Sequence, residues 1–295
     1  IVLLTPAALA TARRVSAPAR PFAYAVAFVA NAASFILPIS NPANLVVFST
    51  LPRLAPWLAA FALPSAAAIL CTYAVMRVVH ARELTQADAV QADASTLTAN
   101  GRVAAVCVAC ALTVVVLAAA FGWAVGYAAL AAAIVATAIV CARDRAALRV
   151  VAREAPWSIV PLVAGLFVIV RALDTTGALE LARTVLRHAS AMNPVLGRLY
   201  AGAFTTLADT AVNNLPAGVI ARYALHGHAI APPIAHAVLV GVDLGPNLSI
   251  SGSLATLLWV MMLRREGIEV RALRFLAMGA LVTIPSLALA LAVLR

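Results

Sequence analysis

The sequence predicts an all-α polytopic membrane protein in which some helices are discontinuous. Three observations carry this. Of 295 residues, 64% are apolar and 11% charged, with a mean hydropathy of +1.00; a soluble globular chain carries about 25% charged residues. Polar, helix-breaking islands at 38–44, 207–216 and 241–256 interrupt segments that are otherwise hydrocarbon. Irregular backbone survives at membrane depth only where protein buries it or it lines a watery cavity. The 21 basic residues, all arginine, cluster between apolar runs, as short cytoplasmic loops require. That placement accounts for the net charge of +10. With no basic run interleaved with aromatics, a nucleic-acid partner is excluded.

The elements follow in order. Residues 1–12 form half a span, closed by Arg13 and Arg14; a full span needs about 20 apolar residues. The run 21–37 breaks at Pro38-Ile39-Ser40-Asn41-Pro42-Ala43-Asn44 and resumes at 45–50. Two prolines and two asparagines do not fit a helix interior, so a broken helix is predicted. Residues 56–79 are a plain span. The segment 81–102, with Glu83, Asp88, Asp93 and Asn100, is a polar cytoplasmic loop.

Spans at 103–121 and 124–141 are joined by a Gly122-Trp123 turn, and a charged loop follows at 143–154. A short span is expected at 157–173, and an interfacial amphipathic helix at 178–190, where Glu180, Arg183, Arg187 and His188 lie among leucines. Residues 194–225, with Asn213-Asn214-Leu215-Pro216 at the tip, read as a re-entrant hairpin. Residues 230–263 are a second broken helix, unwound over 243–253, and 272–294 the last span. Cys71, Cys107, Cys110 and Cys141 all lie in apolar stretches. Although Cys107 and Cys110 have CxxC spacing, no second ligand pair or strand context accompanies them, so neither a metal site nor a disulfide is expected.

The order of parts repeats. Residues 103–295 contain three spans, a hairpin, a broken helix and a last span. Residues 1–80 contain a hairpin arm, a broken helix and a span. The chain is therefore expected to hold one inverted repeat and the remainder of another, N-terminally incomplete and beginning just after the first hairpin tip. With the 12–20 turn placed in the cytoplasm, most arginines, among them Arg13, Arg14, Arg143, Arg145, Arg149, Arg264 and Arg265, fall on the cytoplasmic side. Interrupted helices in corresponding positions point to the binding site of a secondary transporter.

At Ser40-Asn41-Pro42-Ala43-Asn44, at Val212-Asn213-Asn214-Leu215-Pro216, and at Asp243-Leu244-Gly245-Pro246-Asn247 followed by Gly252-Ser253-Leu254-Ala255-Thr256-Leu257-Leu258-Trp259, the chain resembles the ArsB family of arsenite efflux permeases. That family belongs to the ion transporter superfamily, with the NhaD antiporters and the divalent-anion/sodium symporters. The resemblance implies inverted repeats with re-entrant hairpins, residence in the bacterial inner membrane, and proton-coupled export of arsenite and antimonite. It also implies an optional cytoplasmic arsenite-stimulated ATPase, allows a homodimer, and calls for no cofactor.

The island chemistry fits such a substrate. Arsenous acid is a small neutral trihydroxide at pH 7, and its site needs both donors and acceptors at short range. Ser40, Asn41, Asn44, Asn213, Asn214, Asn247, Ser249, Ser251 and Ser253 supply them. Pro42, Pro216, Gly245, Pro246 and Gly252 are the expected helix breakers. Asp209 and Asp243 are intramembrane carboxylates and candidate proton carriers; hydrogen bonding to a turn backbone is the competing role. His226, His228 and His236 do not make a convincing metal set. A sodium/proton antiporter or sodium-coupled anion transporter is the nearest alternative. An intramembrane enzyme lacks HExxH and GxSxG signatures. A non-transporting membrane subunit would gain nothing from unwound backbone at mid-membrane.

Overall fold

The computed structural model describes residues 1, 4–48, 53–85, 98–154, 157, 161, 164–165, 168, 172, 176–226 and 230–294. The described residues are helical, with no strand among them. The first helices are α1 (Leu4–Arg14), α2 (Ala19–Ala32), α3 (Pro42–Val47), α4 (Leu54–Val79) and α5 (Ala81–Thr85). Next come α6 (Ala99–Phe121), α7 (Val125–Arg143), α8 (Ala146–Glu154) and α9 (Ala178–Ala191). The last are α10 (Pro194–Val212), α11 (Asn214–Leu225), α12 (Pro232–Leu244), α13 (Leu254–Arg265) and α14 (Ala272–Val293), with a 3-10 turn at Gly245–Asn247. By length and composition α4, α6, α7 and α14 are each able to cross a membrane.

The helices sort by how they are packed. α14 is the shared partner, lying against α4, α10 and α12, while α10 and α12 form the most extensive pair. Small residues permit that pairing. A Cβ on Gly241 would come within 2.5 Å of the Gly202 carbonyl oxygen, and one on Gly202 within 2.5 Å of Leu291 Cδ1. Close backbone approach at small residues is how apolar helices gain contact where lipid offers no hydrophobic gradient. One core runs through α2, α3, α4, α9–α12 and α14, and includes Phe35, Trp57, Phe61, Leu239, Leu244 and Leu291. A second joins α1, α2, α13 and α14 around Tyr24, Phe28, Trp259 and Phe275, whose rings lie 5.3–6.0 Å apart. By contrast, α6 and α7 pack chiefly on each other, and α7 has no buried residue.

Several boundaries move from those the sequence suggests. The first interruption begins earlier, because α2 stops at Ala32 and the chain is irregular to Asn41. Pro42 does not break a helix; it is the first residue of α3, where its missing N–H costs nothing, and Asn41 caps that helix by accepting from Ala43 N at 3.0 Å. Pro216 likewise lies in the first turn of α11. The second interruption begins at Gly245, so Asp243 ends a helix and does not sit in the unwound loop. The charged segment after α7 is itself helical as α8, and the polar loop starts with the helical turn α5. The expected span at 157–173 lies mostly outside the described residues. The apolar side of α9 (Ala182, Val185, Leu186, Ala189) is buried against α10 and α11, so protein occupies the face expected to meet lipid. The four cysteines are free.

Candidate functional site

The two interrupted segments meet at one buried polar cluster. Asp209 stands on α10 and Asp243 at the end of α12, each completely buried. The close crossing at Gly202 and Gly241 sets these two helices side by side, and the Asp209 carboxyl group reaches the end of α12, where a Cβ on Gly245, two residues beyond Asp243, would lie 2.5 Å from Asp209 Oδ2. Both oxygens of Asp209 and Oδ2 of Asp243 have no hydrogen-bond partner. Oδ1 of Asp243 accepts from Asn41 Nδ2 at 2.6 Å, and the Ser34 side chain lies beside it. That bond joins the first interruption to the end of α12.

A second bond joins the last turn of α2 to the second interruption. Asn31 Nδ2 donates to Asn247 Oδ1 at 2.9 Å, within the protein interior. Asn247 belongs to the 3-10 turn, is fully buried, and keeps its Nδ2 without a partner. Asn44, also fully buried, donates through Nδ2 to the Ser34 carbonyl at 2.9 Å and the Leu37 carbonyl at 3.2 Å, leaving Oδ1 unpartnered. A buried polar atom without a partner costs roughly 1–3 kcal/mol, so a cluster of them calls for a ligand or a proton. Gly279 of α14 closes one wall: a Cβ there would collide with the Asn247 carbonyl oxygen.

Asn213 and Asn214 hold a different junction. α10 ends and α11 begins at Asn213, whose φ of 84° and ψ of 150° lie in a region that residues other than glycine rarely adopt, so its side-chain and neighbouring backbone bonds must hold it there. Its Nδ2 donates to the Ser251 carbonyl at 2.6 Å, and Asn214 N donates to the Gly252 carbonyl at 2.8 Å. The 249–252 loop is thus clasped to the α10–α11 junction. Asn213 N donates to the Asp209 carbonyl at 2.9 Å, so this clasp sits directly beyond the buried carboxylate.

The remaining expected site residues are placed as follows. Ser40 is exposed. The Ser249 and Ser251 hydroxyls pair with each other at 3.0 Å on the exposed side of the loop. Ser253 is the N-cap of α13, accepting from Thr256 N at 3.0 Å, so its hydroxyl already has local work. Gly245 is helical rather than unwound, with φ −53°, and its need is for space: a Cβ there would lie 2.5 Å from Asp209 Oδ2. A Cβ on Gly252 would lie 2.7 Å from Pro246 Cα, which folds the loop tightly on the 3-10 turn. Asn31 and Ser34 belong to the cluster without having been expected there. Their only sequence signal is an amide and a hydroxyl within an apolar run. Among the described residues, no group of three His, Cys, Asp or Glu side chains is arranged to hold a metal ion.

Known proteins with this sequence pattern point one way. The family model described as arsenical pump membrane protein, ArsB, matches residues 1–295. The arsenical pump membrane protein of Escherichia coli is 30% identical over 148 residues, covering 49% of this chain and 34% of the relative. Proteins of the same description from Yersinia enterocolitica and Shigella flexneri are 29% and 30% identical over 148 residues. The matched part of the chain thus spans about a third of the length of these curated relatives. With the family model matching from one end to the other, the chain belongs to the ArsB family of arsenical pump membrane proteins.

Proposed function

We propose that the protein is a secondary-active permease that exports arsenite and antimonite across the bacterial cytoplasmic membrane, driven by inward movement of protons. The observation that carries this reading is the buried cluster itself. It offers carboxylate oxygens, an amide N–H and an amide oxygen without partners, at the meeting point of two interrupted segments. Neutral arsenous acid needs both kinds of group, and no arginine occurs in 38–44, 207–216 or 241–256 to favour a carboxylate or sulfate instead. Asp209 and Asp243 are the proposed proton carriers. Asn41, Asn44 and Asn247 line the proposed substrate site; Asn213, Asn214 and the Ser249 and Ser251 hydroxyls act at its edge, while Ser253 holds the start of α13 beside them. Because Asp209, Asp243, Asn44 and Asn247 are closed off from solvent, loading requires movement of the elements around them. The inverted-repeat arrangement, with 1–80 and 103–295 rocking about this cluster, supplies such a movement. An ATPase subunit and a homodimer are compatible with this reading and not needed by it.

Arsenite accumulation in inside-out vesicles carrying the full-length protein, in sodium-free buffer without ATP, tests it. Uptake should follow an imposed proton gradient. Asp243→Asn should abolish that dependence, and Asp209→Asn should weaken or abolish it; retained gradient dependence in both would remove the carboxylates from coupling. The unpartnered carboxylate oxygens favour one second reading, a cation in place of the proton. Uptake that needs sodium and ignores the proton gradient would establish it.

A further inference from the structure

We propose that Asn31 is a positioning residue, which determines the end of the Asn247 amide that faces the substrate. The inference rests on the reading of Asn247 as part of the substrate site. A side-chain amide has a donor end and an acceptor end, and a bond to one leaves the other to be presented. Asn31 Nδ2 occupies Asn247 Oδ1 at 2.9 Å, and Asn247 Nδ2 remains buried and unpartnered. Asn44 is committed in the opposite sense. The Ser34 and Leu37 carbonyls take its Nδ2 and leave Oδ1 unpartnered. The last turn of α2 and the irregular stretch after it therefore fix the two amides, the first holding Asn247 as donor and the second holding Asn44 as acceptor.

The donor is the scarcer of the two. The other unpartnered atoms of the cluster, Asp209 Oδ1 and Oδ2, Asp243 Oδ2 and Asn44 Oδ1, are oxygens. They accept from the O–H groups of a metalloid hydroxide. Its oxygen lone pairs need an N–H, which Asn247 Nδ2 provides only while its amide is held in this sense. Asn31 thus acts on affinity through Asn247, without touching the substrate. Packing places both partners: α2 lies against α12 and the 3-10 turn, and Asn31 is itself buried.

The test is the KM and maximal rate of arsenite uptake by the full-length protein in inside-out vesicles, normalised to inserted protein. Asn31→Leu keeps the bulk and removes the donor; Asn31→Ser loses bulk and keeps a donor. A packing role ranks leucine as the milder change, whereas the positioning role ranks serine as the milder. Asn31→Leu is expected to raise KM about tenfold, the scale of one buried hydrogen bond, with maximal rate within twofold. Asn31→Ser is expected to stay within threefold of wild-type KM. Should the leucine variant fail to insert, Asn31→Ala against Asn31→Ser makes the same comparison, the alanine carrying the higher KM. Wild-type KM in both members of the working pair, or a higher KM for serine than for its donor-free partner, overturns the inference. Wild-type vesicles that accumulate no arsenite overturn instead the reading on which it rests.

Discussion

Individual side chains in this protein answer to contacts that residue type alone does not announce. Gly245 reads as a helix breaker, yet its backbone is helical and its requirement is the Asp209 carboxyl group pressed against its Cα. Gly245→Ala should therefore lower stability by about 1–3 kcal/mol through overpacking. Gly126→Ala on α7, where an added Cβ meets nothing within 4 Å, should be neutral or stabilising by up to about 1 kcal/mol. Thermal unfolding of the two variants in one detergent compares them directly, and equal shifts would remove the steric account. Asn41, Asn44, Asn247 and the two aspartates were legible in the sequence because amides and carboxylates stand out in apolar segments. Asn31 and Ser34 were not, because one amide and one hydroxyl are too weak a signal until folding sets them against Asn247 and Asp243.

Several elements begin at a side-chain cap. Asn41 caps α3, Asn193 caps α10, Asn213 caps α11 and Ser253 caps α13, each side chain accepting from a backbone N–H of the first turn. In hydrocarbon a free helix end has no water to turn to, so such caps matter more than in solution. Ser253→Ala should cost about 1 kcal/mol and speed amide exchange in the first turn of α13, while the KM for arsenite stays within twofold. A KM rise with unchanged exchange would instead make Ser253 a substrate ligand. The same capping logic explains why boundaries moved from their expected places. Proline was read as a stop, whereas at Pro42 and Pro216 it stands in the first turn of a helix.

At the scale of the whole molecule, stability resides where helices cross, and not uniformly along the apolar sequence. Trp259 is fully buried among Tyr24 and Phe275, with its indole N–H donating to the Ala23 carbonyl at 3.1 Å. Trp259→Ala should cost about 3–5 kcal/mol. Tyr127→Ala on α7, a residue 79% exposed, should change stability by less than about 0.5 kcal/mol. Denaturation midpoints in a shared detergent check the contrast. The exposed Arg13–Glu266 ion pair, which ties α1 to the end of α13, belongs to the weak end of this scale.

The sequence by itself determined the solvent, the helical class, the approximate spans and the places where helices are interrupted. These follow from local quantities: hydropathy over about 20 residues, proline and glycine, and the siting of arginines. Tertiary structure alone decided that Asn41 reaches Asp243, that Asn31 reaches Asn247, and that the Ser251 and Gly252 carbonyls are clasped by Asn213 and Asn214. Those pairs lie far apart in the chain, and no local propensity brings them together. What does so is packing between distant elements: α2 and α3 lie against α12 and α2 against the 3-10 turn, while glycines at Gly202, Gly241 and Gly279 let α10, α12, α14 and that turn approach closely enough to complete the cluster.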